Sequence, residues 1–135
     1  MNLPRNLAVV TALGVAASLS LAAPAAGHEY EPAASLDLQM YEGTEIGGTV
    51  LGAATLNCTP DGGSHPSPRE ACDTLRSVNG EIEEIPAESG RFCPMIWDPV
   101  TVTVTGTWND RDVEFTNTYS NSCVADVETS GVLDF

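Results

Sequence analysis

Positive charge is scarce in this sequence, and lysine is absent. The 135 residues contain five basic side chains, all of them arginine, against nineteen acidic ones, so the formal net charge is −14 at pH 7. An anionic surface of this kind repels phosphate backbones and anionic lipid headgroups. The composition therefore argues against nucleic acid and membrane surfaces as partners, and we expect the acidic residues mainly to keep the protein soluble.

Long apolar runs are also absent, except at the N-terminus. Arg5 precedes an Ala- and Leu-rich stretch that extends to Ala23, and small residues follow it. A positive charge, a short apolar core and an Ala-x-Ala-like site are typical of a secretory signal peptide. The run is shorter than the roughly 20 apolar residues of a membrane-spanning helix. We predict a signal peptide over 1–26 and a secreted, extracellular domain over 27–135, whose residues 28–35 form a flexible arm.

Metal-binding patterns are missing as well. No Cys-x-x-Cys pair and no pair of neighbouring histidines occurs, which argues against zinc. The acidic cluster at 81–84 lacks the ligand spacing of a calcium loop. An even number of cysteines in a small exported domain instead predicts two disulfides, for which four cysteines allow three connectivities. We expect no metal and no cofactor, and two disulfides formed among Cys58, Cys72, Cys93 and Cys123.

Alternation of apolar and polar residues predicts most of the strands. It occurs over 36–41, the period of a half-buried strand, and 50–58 gives a second strand that contains small residues. Over 100–108, valines and a tryptophan alternate with threonines, and a turn at 109–112 leads into a return strand. The end of the chain, 131–135, is a candidate closing strand.

A helix start follows the second predicted strand. Ser67 can cap the helix, Pro68 suits its first position, and Glu70 completes a capping box. Asn79-Gly80 supplies the end of the helix. Together these patterns predict an α+β fold, in which one or two short helices pack on an antiparallel sheet of about five strands.

One loop combines bulky apolar side chains with residues that restrict the backbone. Proline at 94 and 99 fits neither a helix interior nor a central strand. Pro94 biases Cys93 towards an extended backbone, and Pro99 stiffens the exit. Exposed apolar groups usually mark a binding site, and a rigid extended loop suits a protease cleft. The alternative is that these side chains are core residues beside a structural disulfide. They are Phe92, Met95, Ile96 and Trp97.

This loop resembles that of the Streptomyces subtilisin inhibitor family. Residues 93–100 read Cys-Pro-Met-Ile-Trp-Asp-Pro-Val, where the family shows Cys-Pro-Met-Val-Tyr-Asp-Pro-Val. Residues 119–123 read Tyr-Ser-Asn-Ser-Cys and are similar to the family's Phe-Ser-Asn-Glu-Cys. The likeness extends from about Ser35 to the C-terminus, and it is poor between Gly43 and Ala54.

The resemblance implies a standard-mechanism inhibitor of subtilisin-like serine proteases rather than an enzyme, and the long apolar side chain of Met95 adds chymotrypsin-like proteases as a further class. Its scissile bond would be Met95–Ile96, and Asn121 would brace the loop by hydrogen bonding. The implied disulfides are Cys58–Cys72 and Cys93–Cys123. The implied protease-contact residues are Arg91, Phe92, Cys93, Pro94, Trp97 and Asp98.

Three further interpretations follow from the sequence. Members of the family commonly form homodimers through the sheet, but Asp37 and Gln39 on the polar face of the first strand argue against this, because a buried unpaired charge is costly. The chain could instead be a secreted binding or surface module with no protease target, which would use the threonine face of the sheet. A secreted enzyme that depends on His65 is disfavoured, since the sequence has no Gly-x-Ser-x-Gly elbow and no metal-binding histidine pair.

Overall fold

The computed structural model of this chain describes residues 22–25, 27 and 30–135. Most of the predicted signal peptide lies outside these residues, as does His28 in the predicted arm. Within the described chain, no helix combines the length and the apolar character needed to cross a membrane. The elements are the strands β1 (Ala34–Glu42), β2 (Val50–Cys58), β3 (Val100–Trp108) and β4 (Arg111–Tyr119), the helices α1 (Pro68–Ser77) and α2 (Ser122–Glu128), and a 3-10 turn (Ile82–Glu84).

The four strands form one antiparallel sheet in the order β2-β1-β3-β4. Leu38 at the centre of β1 lies opposite Ala54 of β2 and Val104 of β3. Period-two alternation places the aliphatic residues of β1 and β3 on one face and mainly polar residues on the other, whereas β2 begins with two exposed apolar residues, Val50 and Leu51. The predicted α+β fold class is confirmed, and β2 has the predicted bounds.

The core lies between the inner face of the sheet and the segments that cover it. Leu36 and Leu38 of β1, Val102 and Val104 of β3, and Leu75 of α1 are buried there. The disulfide Cys58–Cys72 joins the end of β2 to α1, so it attaches the helix to the edge of the sheet. The segment that follows α1 and the 3-10 turn therefore begins at a helix that is covalently attached to the sheet.

Three local features differ from the expectations. Ala34 and Ser35, assigned to the arm, lie in β1, since Ala34 is buried in the core and Ser35 is in the ladder. Ser67 occupies the N-cap position of α1, but its side chain makes no capping hydrogen bond. Residues 131–135 form a turn and an irregular end instead of a closing strand, because consecutive burial of Val132 and Leu133 breaks the period of two.

Candidate functional site

The loop between Gly90 and Pro99 displays its apolar side chains to solvent. Met95 is fully exposed, Phe92 is 93% exposed, and Ile96 and Trp97 are more than half exposed. The alternative that these residues belong to the core is therefore wrong. An apolar side chain held in water without a local packing partner is typical of a surface that binds another molecule.

Backbone bonds and a disulfide hold both ends of the loop. The disulfide Cys93–Cys123 attaches its first half to α2. The Asp98 amide donates a hydrogen bond of 2.9 Å to the Ser120 carbonyl, just before α2. Pro99 accepts one of 2.8 Å from the amide of Gly43, after β1. The exposed segment 94–97 therefore spans two fixed points.

Asn121 supports the loop tip from below. Its side-chain Oδ1 accepts a hydrogen bond of 3.0 Å from the Val124 amide, which caps the N-terminus of α2. Since Oδ1 is occupied by the cap, the Nδ2 group faces the loop. Nδ2 donates to the carbonyls of Pro94 at 3.2 Å and Ile96 at 3.0 Å. The Asn121 side chain thus holds the two backbone carbonyls that precede and follow the Met95–Ile96 peptide bond.

Arg91 ties the upstream end of the loop to α2. Its guanidinium forms ion pairs with the carboxylates of Asp126 and Glu88, the second at 3.2 Å. The hydrogen bond that the guanidinium donates to Asp126, followed by the one it donates to Glu88, raises the pKa of Arg91. Sequence reasoning missed both carboxylates as loop partners. The Glu88 spacing of three residues was the only signal, since Asp126 is 35 positions away.

His65 has a structural position. It is buried, Nε2 donates a hydrogen bond of 3.0 Å to the Val132 carbonyl, and Nδ1 accepts one of 3.0 Å from the Ser67 amide. With both ring nitrogens engaged by backbone, the imidazole has no free nitrogen to serve as a general base. This geometry disfavours the enzyme interpretation that rested on His65.

A hollow with a volume of about 520 Å³ lies away from the loop. The residues after α1, from Ile82 to Ala87, form one wall, and β4 with the end of α2 forms the other. Its lining contains neither histidine, cysteine, serine nor lysine, so it lacks the usual nucleophile–base pairs. The exposed loop is the better-defined candidate site.

One group of potential metal ligands lies close together in the part of the chain that the structure describes. It comprises Cys58, Asp61 and Cys72. The two cysteines are bonded to each other as a disulfide, so neither offers a thiolate to a metal ion. The remaining Asp61 accepts from the Thr59 amide and pairs with Arg76, which gives it a structural role in the turn after β2.

The outer face of the sheet is polar, and Ile46 of the connection between β1 and β2 lines a hollow on it together with Asp37 and Gln39. Asp37 of β1 lies there opposite Thr105 of β3, and Gln39 lies opposite Thr103. Both Asp37 and Gln39 are exposed. On β4, Glu114 is the register partner of Thr105 and Asp112 that of Thr107, so with Asp37 this polar face carries three carboxylates across three strands.

Comparison with known proteins gives consistent matches. A sequence profile described as "Subtilisin inhibitor-like" matches residues 32–121. Protease inhibitor SIL-V2 of Streptomyces orinoci is 38% identical over 108 residues, covering 78% of this chain and 98% of that protein. Trypsin inhibitor STI2 of Streptomyces longisporus is 39% identical over 122 residues, covering 87% and 84%. The crystal structure of Streptomyces caespitosus sermetstatin, in complex with Bacillus licheniformis subtilisin, matches with a TM-score of 0.62 at 37% identity, covering 74% and 96%.

Proposed function

The chain belongs to the subtilisin inhibitor-like family, and from this premise we propose that it inhibits subtilisin-like serine proteases with Met95–Ile96 as the scissile bond. The observation that carries the proposal is the fully exposed Met95 at the tip of a loop fixed by Asn121 and a disulfide. The similar sermetstatin structure is a complex with subtilisin, which supports the same class of target. On this proposal the protein is a ligand of an enzyme and carries out no chemistry of its own.

The proposed mechanism uses the protease's own catalytic groups. The protease serine adds to the Met95 carbonyl carbon while its histidine takes the hydroxyl proton, and the oxyanion hole holds the carbonyl oxygen. Breaking the bond to the Ile96 nitrogen transfers that proton to the new amine and leaves an acyl-enzyme. The Ile96 carbonyl is held by Asn121, so the amine stays beside the acyl carbon. Its return reforms the peptide bond and releases the serine, in competition with hydrolysis.

The rigidity of the loop explains tight binding. Association costs free energy for each side chain and loop segment that becomes ordered at an interface. Here the loop is already held through Cys93, Asn121 and Asp98 before a protease arrives. Most of the ordering cost is therefore met during folding, and protease–inhibitor pairs of this kind are among the tightest complexes known.

Side-chain shape suggests the specificity. Met95 is long and apolar and suits the broad apolar primary pocket of subtilisin-like enzymes, and of chymotrypsin-like enzymes as a second class. It offers no cation to the buried aspartate of a trypsin pocket. Phe92, three positions upstream and almost fully exposed, suits a second apolar pocket along the extended strand. Trp97 lies on the leaving-group side and adds contact area.

For the compartment we propose export, with residues 1–26 as a cleaved signal peptide. The N-terminal pattern supports this. The two disulfides, Cys58–Cys72 and Cys93–Cys123, also support it, because disulfides persist in oxidising environments. N-terminal sequencing of the protein recovered from the culture medium tests the cleavage site. Recovery of the uncleaved chain in the cell pellet would contradict it.

For the assembly we propose the homodimer that the family suggests, formed through the outer face of the sheet. Two copies packed face to face would bring Asp37 and Glu114 close to their equivalents, which is costly without partners. We therefore expect a weak dimer that added salt strengthens by screening these charges. Sedimentation velocity at low and high salt measures this, and a monomer under every condition would contradict the proposal.

The central experiment is an inhibition titration of the purified domain against subtilisin, chymotrypsin and trypsin. We expect an inhibition constant of about nanomolar or tighter for subtilisin, and much weaker inhibition of trypsin. Met95→Asp should cost several kcal/mol, because it buries an unpaired charge in the enzyme's pocket. Leu51→Asp, at an exposed position on the edge strand β2, is the matched control and should inhibit as the parent does. Equal inhibition by Met95→Asp would show that another segment binds the enzyme.

A further inference from the structure

Side chains alternate between two directions just upstream of the proposed scissile bond. Arg91 and Cys93 both attach to α2, the first by an ion pair with Asp126 and the second by a disulfide with Cys123. The residue between them, Phe92, is 93% exposed. On α2 the two partners are three positions apart, so they lie on the same helix face. One face of α2 therefore holds every second residue of this segment.

The helix partner of the ion pair, Asp126, is held in place by burial. The Asp126 side chain is only 7% exposed, and its Oδ2 accepts from the Arg91 guanidinium. Its Oδ1 is buried and has no hydrogen-bond partner among the described residues. A buried carboxylate without a cation is strongly unfavourable, so Asp126 holds Arg91 in place.

The chain before Arg91 runs along the same helix. The Glu88 amide donates a hydrogen bond of 2.8 Å to the Val127 carbonyl. The Ser130 hydroxyl donates one of 2.7 Å to the Pro86 carbonyl. Gly90 then interrupts this contact with a φ of +80°, a backbone conformation that favours glycine. Between Gly90 and the disulfide at Cys93, the structure shows one anchor, the Arg91 side chain.

We propose that the Arg91–Asp126 ion pair is a positioning element of the inhibitory loop, which turns Phe92 outward to meet the protease. This inference rests on the proposed inhibition of subtilisin-like proteases. In an extended segment, successive side chains point to opposite sides, so fixing Arg91 and Cys93 inward directs Phe92 outward. Without the pair, the segment 90–92 can rotate, and the protease must order Phe92 during binding.

The pair has a second consequence for trypsin-like enzymes. Such an enzyme cleaves after arginine by inserting the guanidinium into a pocket with a buried aspartate. Here the guanidinium already donates to Asp126 and Glu88, and withdrawing it would leave Asp126 buried and unpaired. The ion pair therefore protects the Arg91–Phe92 bond from cleavage.

The first test is a double-mutant cycle between the ion pair and Phe92. The combined variant Arg91→Gln/Asp126→Asn removes both charges and leaves no orphan carboxylate, and its melting temperature is measured to confirm folding. We expect it to weaken subtilisin inhibition about tenfold with Phe92 present, and less than about twofold in a Phe92→Ala background. The matched control is Arg111→Gln, which breaks an exposed ion pair with Glu81 and should leave inhibition unchanged.

The outcomes of this cycle are distinct. An equal loss in both backgrounds would mean that the pair supports the fold in general, and no loss would mean that it has no role; either result overturns the inference while subtilisin inhibition stands. A parent protein that fails to inhibit subtilisin would overturn the proposed function itself.

The second test does not depend on inhibition. Asp126→Asn keeps Arg91 but weakens its anchor, so trypsin should cleave after Arg91 about tenfold faster than in the parent. Mass spectrometry identifies the fragment that begins at Phe92. In Arg111→Gln, which has Asp126 intact, the rate at this bond should equal that of the parent. An unchanged rate in a folded Asp126→Asn variant would refute the protective role.

Discussion

The stability of α2 and the geometry of the loop tip both depend on Asn121, so its replacement tests the site most directly. Its Oδ1 caps the helix, and its Nδ2 donates to the carbonyls of Pro94 and Ile96. Asn121→Ala should remove about 1 kcal/mol for the cap and about 1 kcal/mol for each of the two loop hydrogen bonds. Asn121→Ser restores the cap, because serine is as good an N-cap residue, but its short side chain does not reach the loop.

The two variants therefore separate the roles of Asn121. Urea denaturation should give a loss of about 3 kcal/mol in unfolding free energy for Asn121→Ala and about 2 kcal/mol for Asn121→Ser. The loss of about 2 kcal/mol at the loop corresponds to a factor of about 30 in the population of the braced tip. With a catalytic amount of subtilisin, the Met95–Ile96 bond should be hydrolysed faster in Asn121→Ser than in the parent protein, by up to this factor. Chromatography of the cleaved chain measures both rates. If Asn121→Ser were cleaved no faster than the parent, the bracing argument would be refuted.

Three other predictions concern the disulfide of the loop, the primary contact residue and the alkaline limit of stability. Replacing Cys93 and Cys123 by serine opens a loop with a sequence separation of 30, so calorimetry should show a loss of about 4 kcal/mol in unfolding free energy. The inhibitor should also become a substrate. Peptide mapping that finds another disulfide pairing in the parent would contradict this prediction. Met95→Lys should make trypsin the better target and subtilisin the weaker one, because the ammonium pairs with the aspartate of the trypsin pocket; inhibition constants that keep the parental order would be evidence against the assignment. Burial raises the pKa of the Tyr119 phenol, so the folded state holds this proton more tightly than the unfolded chain does. Its contribution to unfolding free energy is complete below about pH 10 and is lost as the pH rises through the folded pKa, and Tyr119→Phe should abolish this slope in alkaline urea titrations.

Patterns that depend on neighbouring residues were predictable from the sequence. The glycines before Val50 and the turn residues after Cys58 give the bounds of β2, and the start of α1 at Pro68 follows from the proline's fixed φ. The prolines at 94 and 99 exclude regular structure for the loop. In each case the physical cause is local. It is either the backbone preference of a single residue or the pattern of side chains over a few neighbouring residues.

Features that depend on distant partners were not predictable in the same way. Four cysteines allow three pairings, and only the resemblance to a family selected the pairing that the structure holds, Cys58–Cys72 and Cys93–Cys123. The closing strand expected at 131–135 is a turn, because tertiary packing buries two consecutive residues there. The capping box at Ser67 is unformed.

The sequence by itself determined that a restricted loop with four bulky apolar side chains lies between α1 and β3. Only the tertiary structure decided that Phe92 and Met95 are exposed, that Asn121 reaches two loop carbonyls, and that Asp126 meets Arg91. The reason is that exposure and pairing depend on which parts of the chain lie against each other. A sequence pattern specifies the preference of a residue for its surroundings, while folding determines which distant groups supply those surroundings.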